Sequence, residues 1–175
     1  MKWRIDEIQK QKLIDFDEVL DLKDELTARN PDILDLTDVA AAGSIKYDDG
    51  FYDLLADVSY IITLPSSRSL KPVRLPVTLE IFETYALPEK VEEADKSVIF
   101  PLESDEISLD EIVADNILLE IPLQILTDEE KETGAMPHGK DWKVLSEEDY
   151  EQSKVDQKKA NSPFAALDGL ANTFD

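Results

Sequence analysis

Two long alternating runs, separated by one Pro-bounded turn, dominate what this chain can fold into. Between Phe51 and Leu64, Val58, Tyr60 and Ile62 share one side, with Ile61 and Thr63 on the other. Between Val73 and Tyr85, Val73, Leu75, Val77, Leu79 and Ile81 point one way, and Arg74, Thr78, Glu80 and Phe82 the other. A period of two is the signature of strands half buried on one face. The connection L-P-S-S-R-S-L-K-P is too short for a crossover, so the two runs pair antiparallel. Pro72 and Pro76 donate no ladder bond, which puts the start of the second run at a sheet edge or a bulge.

The surrounding sequence extends this hairpin into a sheet. Val39 to Lys46 reads as a strand, and Tyr47-Asp48-Asp49-Gly50 supplies a tight turn into Phe51. Short strands are predicted at the opening, where Trp3 and Ile5 alternate with Lys2, Arg4 and Asp6, at Ile14 to Asp17, and at Ser97 to Pro101. Asp21 to Arg29 is a brief helical segment stopped by Asn30-Pro31. The clearest helix follows Ser108-Leu109-Asp110-Glu111, a capping box in which the serine hydroxyl takes a free amide and Glu111 reaches back. It runs over about 109–121, ends at Pro122, and should close one side of the sheet.

The predicted fold is therefore α+β and β-rich: an antiparallel meander packed by one main helix, with short accessory helices. Residues 1–126 form the folded core. The polar stretch 127–160 is predicted as loop or disorder, broken by a short turn of helix after Ser146. Residues 161–175 carry a short helical motif, with Ser162 as cap, Pro163 at the first helical position, and Phe164, Leu167 and Leu170 as its apolar face. Such a segment docks either on its own sheet or on a partner, and the first reading is favoured for a chain terminus.

Charge narrows the function classes. Forty Asp and Glu against eighteen Lys and Arg give a formal net charge of −22. That balance repels phosphate backbones and suits a basic partner, although solubility alone accounts for it equally well. There is no cysteine, hence no disulfide, thiolate nucleophile or sulfur-held zinc. No segment approaches the length and hydrophobicity of a membrane span, and the start has no apolar signal core, so a cytoplasmic location is expected.

Candidate chemistry is sparse. His138, in M-P-H-G-K, stands alone between Pro and Gly and reads as a solvated loop residue. Five glycines are scattered singly, so no phosphate loop forms. Ser66 and Ser69 have no base near them in sequence. We therefore expect no catalytic residue, metal, cofactor or small-molecule substrate. The turn does carry a local excess of cations: Arg68, Lys71 and Arg74 occur between Ser66 and Leu79 without an acid. They can meet phosphates or an acidic partner, or pair with the chain's own carboxylates and guard an edge strand. The second reading is slightly favoured.

The same turn resembles the C-x-R-C-L-x-P signature of the YceD family, the large ribosomal RNA subunit accumulation proteins. Ser66 and Ser69 stand where that family often has cysteines, and Arg68, Leu70 and Pro72 keep the remaining pattern. Asp115 to Pro122 is similar to the family's helix running into an apolar step that ends in proline. Ser162-Pro163-Phe164-Ala165-Ala166-Leu167 is similar to its C-terminal N/D-P-x-x-x-L motif. The resemblance implies a non-enzymatic role in ribosome biogenesis, supporting accumulation of large-subunit (23S) ribosomal RNA. It implies partners in the large-subunit precursor, as ribosomal RNA or a basic ribosomal protein. In relatives, C-x-x-C and a later cysteine cluster invite a zinc reading; here both are absent together, and S-x-x-S reads as a turn stabilised by hydroxyl-to-backbone bonds. The binding residues expected are Arg68, Lys71, Arg74, Phe164 and Leu167, with Ser66, Ser69, Leu70, Pro72, Pro122 and Pro163 at motif positions. The competing reading is an acidic nucleic-acid mimic, or a protein-binding adaptor unrelated to ribosomes.

Overall fold

One strand organises the sheet. A computed structural model describes residues 1–93, 99–133, 139–140, 142, 144–145 and 147–160, which fall into two compact units, Met1–Ile125 and Leu126–Asp175. In the first, β5 (Phe51–Pro65) buries Tyr52, Leu54, Ala56, Val58, Tyr60, Ile62 and Leu64 on one face. It pairs antiparallel with β4 (Val39–Asp48) and with β6 (Pro72–Ala86). The turn from β4 into β5 places Asp49 and Gly50 at φ 43° and 91°, as a two-residue hairpin whose central residues both need positive φ demands. β2 (Leu13–Leu20) pairs outside β4, and β3 (Asp35–Leu36) meets β5 at Thr63 and Ile62.

The fold is α+β, and its six-stranded sheet is mixed rather than a pure antiparallel meander. β7 (Ile99–Pro101) lies parallel to the end of β6, with Thr84 opposite Ile99. A second, two-stranded sheet joins β1 (Lys2–Arg4) to β8 (Glu106–Ser108). The β5–β6 register is continuous from Pro65↔Pro72 to Phe51↔Ala86, so the prolines of β6 mark an edge and not a bulge. Among the described residues that edge is unpaired from Pro72 to Glu83.

Several helices complete the unit: α1 (Ile5–Gln11), α2 (Lys23–Arg29), α3 (Pro88–Glu93) and α4 (Leu109–Glu120). α4 starts at the capping box, Ser108 Oγ accepting from Glu111 N at 3.5 Å. It buries Leu109, Ile112, Val113, Ala114 and Ile117 in one apolar cluster with the inner faces of β2, β4 and β5. The opening strand is shorter than its alternation suggests. It stops at Arg4, and α1 takes over with Ile8 buried.

In the second unit a helix does begin after Ser146, longer than the predicted turn, and a further helix stands where loop or disorder is expected after residue 127. α5 (Asp128–Thr133) and α6 (Glu147–Ala160) are helices. α5 has its own capping box: Glu130 N donates to Thr127 Oγ1 at 3.2 Å, and Thr127 N donates to the Glu130 carboxylate at 2.8 Å. His138 and residues 161–175, including Pro163, Phe164 and Leu167, lie outside the described residues. No described helix is long and apolar enough to cross a membrane.

The buried face of the sheet makes stability depend on alkaline pH. Burial, then the charge of Glu120, pushes the Tyr60 phenol from 10.0 to about 12. The unfolded chain ionises this phenol first, so its contribution is complete below pH 10 and is lost as pH rises through about 12. The rise corresponds to roughly 2 kcal/mol. Urea melts between pH 9 and 12 should record the loss, and Tyr60→Phe should flatten part of it; an unchanged slope in that variant contradicts the assignment.

Candidate functional site

Ser66 ends the buried face of β5 and builds the turn that follows. Its hydroxyl oxygen is fully buried and accepts from the amides of Arg68 at 3.1 Å and Ser69 at 3.2 Å. Its own amide donates to Lys71 O at 2.8 Å, and Leu70 N donates to Ser66 O at 3.0 Å. Ser69 has the lesser part: its exposed hydroxyl accepts from Lys71 N at 3.4 Å. Replacing Ser66 by Ala removes the acceptor of two part-buried amide bonds and should cost about 1–2 kcal/mol, whereas Ser69→Ala should cost under about 0.5 kcal/mol. Paired urea melts check this, and equal losses contradict it.

Ser67 ties the turn to the chain that leaves α4. Its hydroxyl accepts from Ile125 N at 2.9 Å, and its amide donates to Ile125 O at 2.8 Å. These two bonds bring Leu64, Pro65, Ser66 and Leu70 against Ile121, Pro122, Leu123 and Ile125 around a cavity of about 280 Å³. Of the motif positions, Ser66, Leu70 and Pro122 therefore converge; Ser69 and Pro72 stay on the outer side of the turn. Sequence reasoning passed over Ser67 and Leu123. The first lay hidden between two more conspicuous serines, and the second follows the helix-stopping proline.

The tip is unusually apolar. Leu70 has φ 60°, in the left-handed region that costs a branched side chain about 1 kcal/mol, and it is 74% exposed. Leu123 is fully exposed. Neither side chain is buried, so burial does not account for these two leucines.

The three predicted cations follow one another along the turn and the start of β6. Arg68 is half-buried in the turn, and Lys71 is exposed beside it. Arg74 lies on the outer face, in register with Thr63 and, through it, with Asp35. The Asp35 carboxyl is held below its usual range chiefly by its 2.6 Å bond to Lys23 and that charge, with a smaller share from Arg74.

The turn does not suit zinc. Ser66 Oγ is committed to two amides, the chain has no cysteine, and no described group of three His, Cys, Asp or Glu could hold a metal.

Fold and tip together define a β-rich α+β protein whose distinctive element is a serine-built hairpin end, apolar at its tip and flanked by cations. The chain belongs to the YceD family: the family model described as Large ribosomal RNA subunit accumulation protein YceD matches residues 54–171. That span runs from β5 through the serine turn and α4 to the Ser162–Leu167 motif. A relative from Bacillus subtilis (strain 168), named Uncharacterized protein YlbN, is 36% identical over 182 residues, covering 100% of this chain and 99% of its own length. No solved structure matches the chain significantly.

Proposed function

We propose that this chain supports accumulation of large-subunit ribosomal RNA as a non-enzymatic factor in the cytoplasm, by holding a basic ribosomal protein or assembly factor. Family membership over residues 54–171 carries the reading. The family's description supplies the process, and the net charge of −22 supports a basic protein, rather than the RNA backbone, as the direct partner. The apolar tip at Leu70 and Leu123 adds a surface that a protein partner can cover and a phosphate backbone cannot.

Affinity purification of the tagged chain at low and raised salt tests this. Recovery of ribosomal proteins with large-subunit precursor RNA, with the RNA lost on nuclease treatment and the proteins kept, supports the reading. RNA retained after the proteins are stripped overturns the indirect mode. Replacing Arg68, Lys71 and Arg74 together by Ala should leave RNA recovery unchanged.

One observation favours the nucleic-acid mimic. Asp17, Asp57 and Glu80 fall in a single row across the outer face, through the register Asp17↔Ala42↔Asp57↔Glu80. The neighbouring row instead carries exposed Leu55 and Phe82, which phosphate mimicry does not use. Recovery of one basic DNA-binding enzyme, competed by DNA, distinguishes this reading.

A further inference from the structure

A cavity of about 410 Å³ lies away from the serine turn, between α4 and the β7–β8 segment. Phe100, Leu102, Ile107, Ile112 and Leu119 give it an apolar lining. Glu83, Glu103, Glu106, Glu111 and Asp115 stand around that lining, and none of the described lining residues is Lys or Arg. We propose that this groove seats an arginine-bearing, apolar-anchored segment of a basic partner protein.

Three features select that occupant. The first is a carboxylate fixed in advance. Glu83 accepts from Asn116 Nδ2 at 2.7 Å and from the Tyr85 hydroxyl, while Asn116 also donates to Ile112 O at 2.9 Å. Burial, then the bond to Glu83, keeps the Tyr85 phenol protonated and so a donor. A held carboxylate needs no ordering when a cation arrives, which favours the planar guanidinium fork.

The second is an aromatic wall. Tyr85 and Phe100 pack with ring centroids 5.6 Å apart, and Phe100 remains 48% exposed. An arginine reaching Glu83 has a ring on which to stack. Leu119, 83% exposed on the helical side, offers the apolar contact that a neighbouring residue of the segment can cover.

The third is an excess of carboxylates over close ion pairs; Lys2 and Arg4 feel the charge of Glu106 without bonding it. The chain's own cations close two rim carboxylates, Lys2 with Glu111 at 3.1 Å and Arg29 with Asp115. Glu83, Glu103 and Glu106 have no ion pair among the described residues. A phosphate backbone is repelled here, and an acidic segment equally so.

This site rests on the reading that the partner is a basic protein, and it says where and how that protein is held. The probe is a synthetic peptide of alternating arginine and leucine, titrated into the full chain, beside an arginine–glycine peptide of equal charge. Glu103→Gln with Glu106→Gln, and separately Phe100→Ser, should each lower affinity for the arginine–leucine peptide about tenfold. The charge-matched pair Asp17→Asn with Asp57→Asn on the outer face should lower it less than about twofold. Both glutamates are exposed and make no described side-chain bond, so their replacement tests binding without unfolding the groove. Equal losses from the groove and outer-face pairs, or equal affinity for both peptides, overturn the proposal.

Purification from cells separates it from the broader reading. If the groove variants still recover ribosomal proteins at wild-type yield, the groove is not the partner's site, although the ribosomal role stands. If the wild-type chain recovers none while the peptide still maps to the groove, the groove stands and the ribosomal role falls.

Discussion

Replacing Gly43 by Ala should destabilise the protein by about 3 kcal/mol or more, a loss near the upper end for an added methyl in a packed interior. Gly43 lies in β4 between Phe16 of β2 and Ala56 of β5. A Cβ there would stand 2.0 Å from the carbonyl oxygen of Leu55 and 2.8 Å from Ala56 Cα. Both are backbone atoms of the central strand, and neither can rotate away. Relief requires β4 and β5 to separate, which breaks a ladder that continues through β6. For a domain of this size the midpoint of a thermal melt should fall by about 6–12 °C. Gly50 provides the contrast. Its φ of 91° penalises a side chain, but its nearest neighbours are carbons of the flexible Lys90 side chain, so Gly50→Ala should cost only about 1 kcal/mol. Equal losses at the two positions would show that backbone conformation, not the close approach of β4 to β5, decides.

Gly43 also marks where sequence reading ran out. The alternation of β4, β5 and β6 was legible because each strand buries one face and few residues break the period. The D-G turn and the S-L-D-E cap were legible for the same reason: their chemistry is local. β2 was read only as Ile14–Asp17, because half-buried Glu18 and exposed Leu13 and Val19 contradict the pattern that Phe16 and Leu20 obey. Its boundaries come from eight paired residues of β4, not from its own side chains. α1 was hidden because the Trp3–Ile5 alternation merges with the Ile5–Ile8 spacing of a single short helix. The T-D-E-E box of α5 carried a readable signal that the surrounding charge obscured. The parallel pairing of β7 had no local signal.

The candidate site divides in the same way. The roles of Ser66 and Ser69 as turn-formers rest on contacts within five residues and could be argued from spacing. The pairing of Ser67 with Ile125, the register that puts Arg74 beside Thr63 and Asp35, and the whole acid-rimmed groove depend on residues brought together from distant parts of the chain. Excess acid made every carboxylate pair look alike in sequence. Only the structure distinguishes Glu83, which is held by Tyr85 and Asn116, from carboxylates that are simply solvated.

The longest of these connections leads to the second large effect. Trp3→Ala should cost about 3–5 kcal/mol, because the indole is nearly fully buried and packs against Phe16 at 5.2 Å between ring centroids. Its strand pairs Trp3 with Ile107, and the flanking backbone bonds Ile5 N to Asp105 O at 3.0 Å and Leu109 N to Met1 O at 2.9 Å. The opening of the chain thus pins β8 and the first turn of α4, which carry Glu106, Ile107, Ser108 and Glu111 of the groove. Phe16→Ala should lose a comparable amount of stability yet leave the β1–β8 ladder in place. The two variants therefore separate packing from groove geometry. At a temperature where both remain folded by circular dichroism, Trp3→Ala should bind the arginine–leucine peptide several-fold more weakly than wild type, and Phe16→Ala should bind it normally. Normal binding by both means that β8 holds its place without the N-terminal strand. Weak binding by both means that the groove responds to general loss of packing, and that β1 has no particular part in shaping it.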